Sequence, residues 1–309
     1  MLSRVADHLY WFGRYVQRAE NTARIVTVNG HLLLDLPKQL QTGWRPLIQI
    51  LGVEKEYMKL YGDSTEADVV RFLVTAEDSS ASIVSSVRKA REILRTVRDT
   101  MPQESWERLN DLYLMLQNEG DKGLARKHRQ DFLAKIIDAC LLLYGVLANN
   151  MSRDAGFQFL RLGTNLEQAD MTTRILDVRS VSLIRAPAED LSAFDNIQWM
   201  SVLRSLTAYE MYRRLVRSRV AGDSVLRFLL QDRDFPRSVV FCLMRMQRTL
   251  AKLPEKRGVE RTLARTLALL RDADVGALVG KGLHEFLDEV QVGIAGVNEA
   301  LSEAYFVRS

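Results

Sequence analysis

An all-α protein, a helical bundle of two pseudo-two-fold repeats sharing one core, is what this sequence predicts, and three observations predict it. Apolar residues recur at spacings of three and four along most of the chain, the period of a helix with one buried stripe. Proline is scarce, at 6 of 309 residues, and no stretch alternates long enough to be a convincing strand. A helix-like stretch also occurs twice: Phe12-Gly13-Arg14-Tyr15-Val16-Gln17-Arg18-Ala19-Glu20-Asn21-Thr22-Ala23-Arg24-Ile25 lines up with Leu162-Gly163-Thr164-Asn165-Leu166-Glu167-Gln168-Ala169-Asp170-Met171-Thr172-Thr173-Arg174-Ile175, an offset of 150 (163 − 13). Downstream, Trp44 is answered by Trp199, an offset of 155. Phe72-Leu73-Val74 with Asp78 and Ser82 is answered by Phe228-Leu229-Leu230 with Asp234 and Ser238, an offset of 156. Three matches in one order at nearly one offset argue for an internal duplication, with repeats of about 1–150 and 151–309.

The elements follow in order. Val5, Leu9, Phe12, Val16, Ala19, Ala23 and Val26 form an unbroken stripe on the first helix, with Ser3 as its expected N-cap. That helix runs through Leu32-Leu33-Leu34 and stops before Pro37. Gln41-Thr42-Gly43 reads as a turn and Trp44–Gly52 as a short helix. Asp63-Ser64-Thr65-Glu66 opens the next, and Ser79-Ser80 caps a long one reaching Arg98. Thr100–Glu104 is a stop and a fresh start around Pro102. Trp106, Leu109, Leu112, Tyr113 and Leu116 then share a face, and Gly120–Gly123 reads as a polar loop. Phe132–Leu147 is so apolar that a central position is expected.

The second half begins at Met151-Ser152-Arg153-Asp154, and its helix from Phe157 to Arg179 is the partner of the first, with Pro187 in the exit loop. Helices Trp199–Arg219, Ser224–Gln231, Pro236–Lys252, Val259–Arg271 and Gly276–Tyr305 complete it. Val239-Val240-Phe241-Cys242 is the best strand candidate, yet its pattern runs on into Met244-Arg245-Met246-Gln247 and favours helix. No Gly/Ser/Pro-rich linker separates the halves, so one shared core and a single domain over 1–309 are expected.

At 47% hydrophobic content, this length buries a large core. The net charge of +4 comes from interspersed acids and bases, with no basic run dense enough for a nucleic-acid arm. Cys140 and Cys242 sit in apolar runs and read as buried free thiols, which fits a reducing compartment. The N-terminus shows no apolar signal region, and the longest apolar stretch, Ile136–Ala148, is too short to span a bilayer. A cytoplasmic protein is expected.

On a helical wheel of the first motif, Phe12, Val16, Ala19 and Ala23 cluster on one side, opposite Arg14, Gln17, Arg18, Asn21 and Arg24. Three arginines without a matching run of acids, flanked by Tyr10 and Trp11, are an unusual dressing for a free surface. Glu20 recurs as Asp170 and Arg24 as Arg174. A partly buried polar face follows, whose charges must be paired or ligated.

These residues resemble the alpha-E domain family, an all-helical family named for a Glu-Arg motif. The resemblance rests on Arg14–Arg24 and its later copy ending Arg174-Ile175-Leu176-Asp177. Thr96–Asp99 through Trp106-Glu107, Trp199–Tyr212 and Asp232–Val239 also look like it, so essentially the whole chain is covered. The dipeptide itself reads Gln17-Arg18 in one copy and Glu167-Gln168 in the other, and Thr164 stands where Arg14 does. The resemblance implies a neighbourhood more than a reaction. Members are typically encoded beside circularly permuted ATP-grasp proteins and transglutaminase-like cysteine peptidases, a bacterial setting of peptide synthesis or processing.

Other chemistry finds less support. None of His8, His31, His128 and His284 pairs with another ligand in a zinc-like set, and no metal or cofactor is expected. Phosphate-loop, dinucleotide and nucleophile-elbow motifs are absent from the sequence. In Asp232-Arg233-Asp234-Phe235-Pro236-Arg237-Ser238, Pro236 is expected to begin a helix with Asp234 as its N-cap, while Arg237 and Ser238 in the first turn could hold an anion.

Two functional readings result. One is a non-catalytic helical partner or scaffold of an amidoligase-type or transglutaminase-like system, able to bind its peptide. The other is an enzyme or ligand-binding protein in which Arg14, Arg18, Arg24, Glu167 and Arg174 line a carboxylate- or phosphate-binding cleft between the repeats. The motif candidates are Arg14, Gln17, Arg18, Glu20, Arg24, Glu167, Gln168, Asp170, Arg174, Asp234, Arg237 and Ser238. Residues i and i+1 on a helix cannot pair with each other. Either the dipeptides pair across the copies, with Arg18 on Glu167 and Gln17 opposite Gln168, or both face solvent.

Overall fold

The structure, a computed structural model, describes residues 2–184, 194–278 and 282–306. Among them the chain is helical throughout, with no strand. The first run is α1 (Ser3–Asp35), α2 (Arg45–Ile50), α3 (Glu54–Leu60), α4 (Glu66–Val74), α5 (Ile83–Thr96), α6 (Gln103–Leu124) and α7 (Arg126–Asn150). The second is α8 (Ala155–Ile184), α9 (Asp195–Ser205), α10 (Tyr209–Val216), α11 (Gly222–Gln231), α12 (Val239–Leu250), α13 (Arg257–Asp272) and α14 (Leu283–Leu301). Pro187 lies outside the described residues.

The expected stripe of α1 is buried from Leu9 to Val26, and the helix stops before Pro37. Ser3 does not cap it. The Leu2 carbonyl already accepts from the Val5 and Ala6 amides, which places Ser3 inside the first turn. Thr65 does cap α4, accepting from the Asp68 amide. For α5 the cap is Ser82, because Ser80 is bound instead to the Glu56 carboxylate through its amide and hydroxyl, at 2.9 and 2.7 Å.

Gly120 and Gly123 are helical, not a loop. A Cβ on Gly123 would fall under 3.0 Å from the Phe132 ring, so this glycine serves the close approach of α6 and α7. The reversal between them comes at Ala125, whose backbone is extended. Nor is α7 central. It buries Phe132, Leu133, Ile136, Cys140, Leu143 and Leu147 on one side and leaves Leu141 46% and Leu142 52% exposed on the other.

The helix expected over Trp199–Arg219 is two. Thr207 adopts a positive φ of 52°, and the Ala208 amide closes back on the Leu203 carbonyl at 2.7 Å. Helix α10 then ends at Arg217, also left-handed. Helix α14 starts only after Gly282 (φ 83°), and Tyr305 lies in a wider π turn at Ser302–Phe306. The strand candidate Val239–Cys242 is the first turn of α12.

Two compact units emerge: Met1–Thr27 with Gly43–Glu167 and Tyr305–Ser309, and Val28–Thr42 with Gln168–Ala304. In the first, α5 packs on α6 and α6 on α7, with α4 against α5 and α6. In the second, α12 packs on α13 and α13 on α14, with α11 against α12 and α13. The hydrogen bonds at the heads of α5 and α12 recur as well. Ser82 donates to the Ala76 carbonyl at 2.5 Å and accepts from the Ser85 amide at 3.0 Å. Ser238 donates to the Asp232 carbonyl and accepts from the Phe241 amide at 3.1 Å.

Candidate functional site

Two glycines set the geometry of the duplicated motif. In the first unit α1 meets the start of α8 at Gly13 and Gly163. A Cβ on Gly13 would come under 3.0 Å from the Leu160 carbonyl oxygen, and one on Gly163 equally close to the Tyr10 carbonyl oxygen. Thr164 is the next neighbour of Gly13, and Arg14 that of Gly163. The contacts are reciprocal at the repeat offset, since 10 and 160, 13 and 163, and 14 and 164 each differ by 150. Backbones approach this closely only where no Cβ intervenes.

One turn beyond the crossing, α1 and α8 bring their charges together. Arg14 Nε donates to Glu167 Oε2 at 2.7 Å, and Arg18 donates through Nε to Oε1 at 2.6 Å and through Nη2 to Oε2 at 3.1 Å. The Glu167 side chain is 3% exposed and that of Arg18 19%. The expected pairing of Arg18 with Glu167 is present, and Arg14 joins it to make a triad.

Burial alone would push the Glu167 carboxyl up, but Arg18 and Arg14 outweigh it and bring its pKa down to about 2. Burial likewise works against the Arg18 charge, and Glu167 holds that pKa up. The aromatic neighbours cover the cations. The Arg14 guanidinium lies 4.6 Å over Trp11, and Tyr15 has Arg18 at 5.7 Å and Lys89 at 5.5 Å from its ring.

A second network adjoins on α1. Gln17 donates to Glu20 and to Asn21, both at 3.1 Å, and accepts from the Tyr144 hydroxyl at 3.1 Å. Arg24 pairs with Glu20 at 2.7 Å one turn away. Gln17, Glu20 and Asn21 are all buried, as a polar face turned inward requires.

The aligned stretch of α8 makes its own contacts in the second unit. Arg174 pairs with Asp170 at 2.9 Å, again one turn away. Thr172 donates to the Arg237 carbonyl at 3.0 Å, as Thr22 in the first unit donates to the Ala81 carbonyl at 3.4 Å. The Cys242 thiol points to Gln168 Oε1 at 3.9 Å and to the Pro236 carbonyl at 3.4 Å.

The Asp232–Ser238 segment differs from expectation. Ser238 caps α12, so Asp234 does not, and Pro236 stands in the preceding turn. Asp232 Oδ1 organises that turn by accepting from the Asp234 and Phe235 amides. Asp234 is exposed, Arg237 is buried, and the Ser238 hydroxyl is occupied as donor and as cap.

Three participants escaped the sequence reading. Tyr144 was hidden in the apolar run of α7, and Lys89 carries no local signal. His284 was read as lacking a ligand partner, yet Asp288 stands four residues on. Asp177, His284 and Asp288 bring ligand-type atoms within 4.8 Å of one another, with His284 Nδ1 2.6 Å from Asp177.

Both cysteines are free and fully buried. Burial pushes the Cys242 thiol up to about 12, and Cys140 shifts in the same direction. Neither carries thiolate character at neutral pH.

The depressed Glu167 pKa has a consequence for acid stability. A folded-state pKa near 2 against an ordinary 4.5 contributes stability that is full above pH 4.5 and lost as pH falls toward 2. The contribution is about 3 kcal/mol. Urea titrations from pH 6 down to pH 2 should show this loss in the wild type, and Glu167→Gln should flatten that part of the profile. An unchanged slope in the variant would contradict the assignment.

A helical chain that buries Glu167 of α8 between Arg14 and Arg18 of α1 defines the class: an all-α protein with an internal Glu–Arg network. The chain belongs to the Alpha-E family, described as a predicted alpha-helical domain with a conserved ER motif, which matches residues 1–306. Among similar proteins, an uncharacterised protein of Mycobacterium tuberculosis is 25% identical over 276 residues, covering 84% of this chain and 30% of its own length. An uncharacterised protein of Mycobacterium bovis matches to the same extent. The chain thus spans under a third of the length of these relatives. No solved structure matches it. Among the described residues no helix is long and apolar enough to cross a membrane.

Proposed function

We propose that this chain is a non-catalytic helical partner in a cytoplasmic system of peptide synthesis or processing, working with an ATP-grasp-type or transglutaminase-like protein. The observation that carries the reading is the internal pairing of the motif charges. Glu167 is matched by Arg14 and Arg18, Glu20 by Arg24, and Asp170 by Arg174. A carboxylate- or phosphate-binding cleft built from these arginines is left with fewer donors, and the buried thiols supply no nucleophile.

Two further points support a partner role. In the mycobacterial relatives the matching region is one part of a much longer chain, so it stands covalently beside other sequence. The outer side of α7 also presents Leu141 and Leu142 to solvent, a place for a protein surface to dock. We further propose that the chain is a two-fold pseudo-symmetric duplication in one domain. The reciprocal glycine contacts, the matched serine caps and the matched packing order support it.

The test is co-expression with an ATP-grasp-type and a transglutaminase-like protein from the same organism, followed by affinity purification in mild salt. We expect one of them to co-purify, and Leu141→Glu with Leu142→Glu to reduce its recovery at least about tenfold. Recovery of neither partner by the wild-type chain would overturn the reading.

A further inference from the structure

A cleft at the connection from α5 to α6 has no part in the motif network. Its volume is about 380 Å³, within the range of small-ligand pockets, and Arg95, Arg98, Asp99, Pro102, Gln103 and Trp106 are among its walls. Both arginines are exposed at its edge. Arg95 reaches Glu92 at 2.8 Å. Arg98 has no carboxylate within ion-pair distance among the described residues. Its guanidinium rests 5.5 Å over the Trp106 ring. A ring face holds a guanidinium by electrostatics and leaves its N–H donors available. Arg91 differs: it stacks on Trp106 at 5.1 Å and Tyr113 at 4.7 Å, and donates to Asn110 at 2.9 Å, so it braces the wall.

Pro102, in the lining, precedes α6 without a side-chain cap, and its carbonyl accepts from the Ser105 amide at 2.9 Å. Asp99 alone among the lining residues is acidic, against two arginines, so the lining is net positive. Leu94, Met101 and the indole supply apolar surface beside the charge.

We propose that this cleft binds an oxyanion carried on an apolar body, a carboxylate or a phosphate, with Arg98 as the bidentate anchor and Trp106 as the apolar wall. A planar guanidinium fork matches both oxyanions. The site is independent of the partner reading, because it uses neither the motif charges nor the outer side of α7.

Calorimetric titration of the full chain with N-acetyl-phenylalanine, its amide and phenyl phosphate tests it. The carboxylate or the phosphate should bind with a Kd of about 1 mM or tighter, and the amide at least about tenfold more weakly. Arg98→Ala should weaken binding at least about tenfold, with Arg98→Lys in between. Arg98 is exposed, so these variants should keep the wild-type melting temperature, which is measured alongside. Binding of only one of the two oxyanions supports the site and identifies its ligand class. No binding of either, equal binding of the amide, or unchanged affinity in Arg98→Ala would overturn it.

Discussion

Glu167→Ala is expected to destabilise the protein by about 3–5 kcal/mol, because it removes the one carboxylate that two arginines share. The loss exceeds that of a surface pair for a definite reason. Arg14 and Arg18 stay largely buried, and without Glu167 they repel each other at close quarters. The large-to-small change adds a cavity of carboxylate size. Replacing the whole triad at once, with Arg14→Leu, Arg18→Met and Glu167→Leu, should recover much of the stability, since no uncompensated charge remains. Urea unfolding monitored by circular dichroism gives both numbers. A Glu167→Ala cost within about 1 kcal/mol, the range of exposed pairs, would mean that the triad contributes little.

Gly163→Ala should be comparably severe, at about 3 kcal/mol or more. The added methyl group meets a main-chain carbonyl, that of Tyr10, and not the end of a flexible side chain. Neither helix can yield locally, so the crossing must open and carry the Arg18–Glu167 pair apart with it. Gly13→Ala meets the Leu160 carbonyl in the same way and should behave alike. Gly145→Ala is the control. It also lies inside a helix, but a Cβ there meets nothing within 4 Å, and the change should be neutral or mildly stabilising. Equal melting temperatures for Gly163→Ala and Gly145→Ala would contradict the close crossing.

The sequence disclosed the parts of this fold that depend on periodicity and charge balance. The α1 stripe from Leu9 to Val26 could be counted directly. That its polar face is partly buried followed from three arginines without a matching run of acids, flanked by Tyr10 and Trp11. That Arg18 meets Glu167 was one of two readings, raised by the inability of adjacent helix residues to pair, and the structure selects it over solvent-facing dipeptides. Features decided by a single contact were less legible. Ser79, Ser80 and Ser82 are chemically equivalent as caps; in the structure Ser80 is bound to Glu56, Ser79 accepts from the Ala81 amide, and Ser82 caps α5. Gly120 and Gly123 looked like a loop because glycine serves both turns and close packing, and the Phe132 ring that explains Gly123 lies in the next helix. The exposure of Leu141 and Leu142 was hidden because an apolar run does not say which side another element covers. Gly13 and Gly163 were visible as a match, but their reciprocal contact exists only in three dimensions.

A double-mutant cycle on Arg18 and Glu167 tests most directly whether their pairing clasps α1 to α8. Unfolding free energies are measured in urea at pH 7 for the wild type, Arg18→Ala, Glu167→Ala and the double variant. The double variant is expected to lose less than the two single losses combined, by at least about 1.5 kcal/mol. Single losses that add within about 0.5 kcal/mol would contradict it.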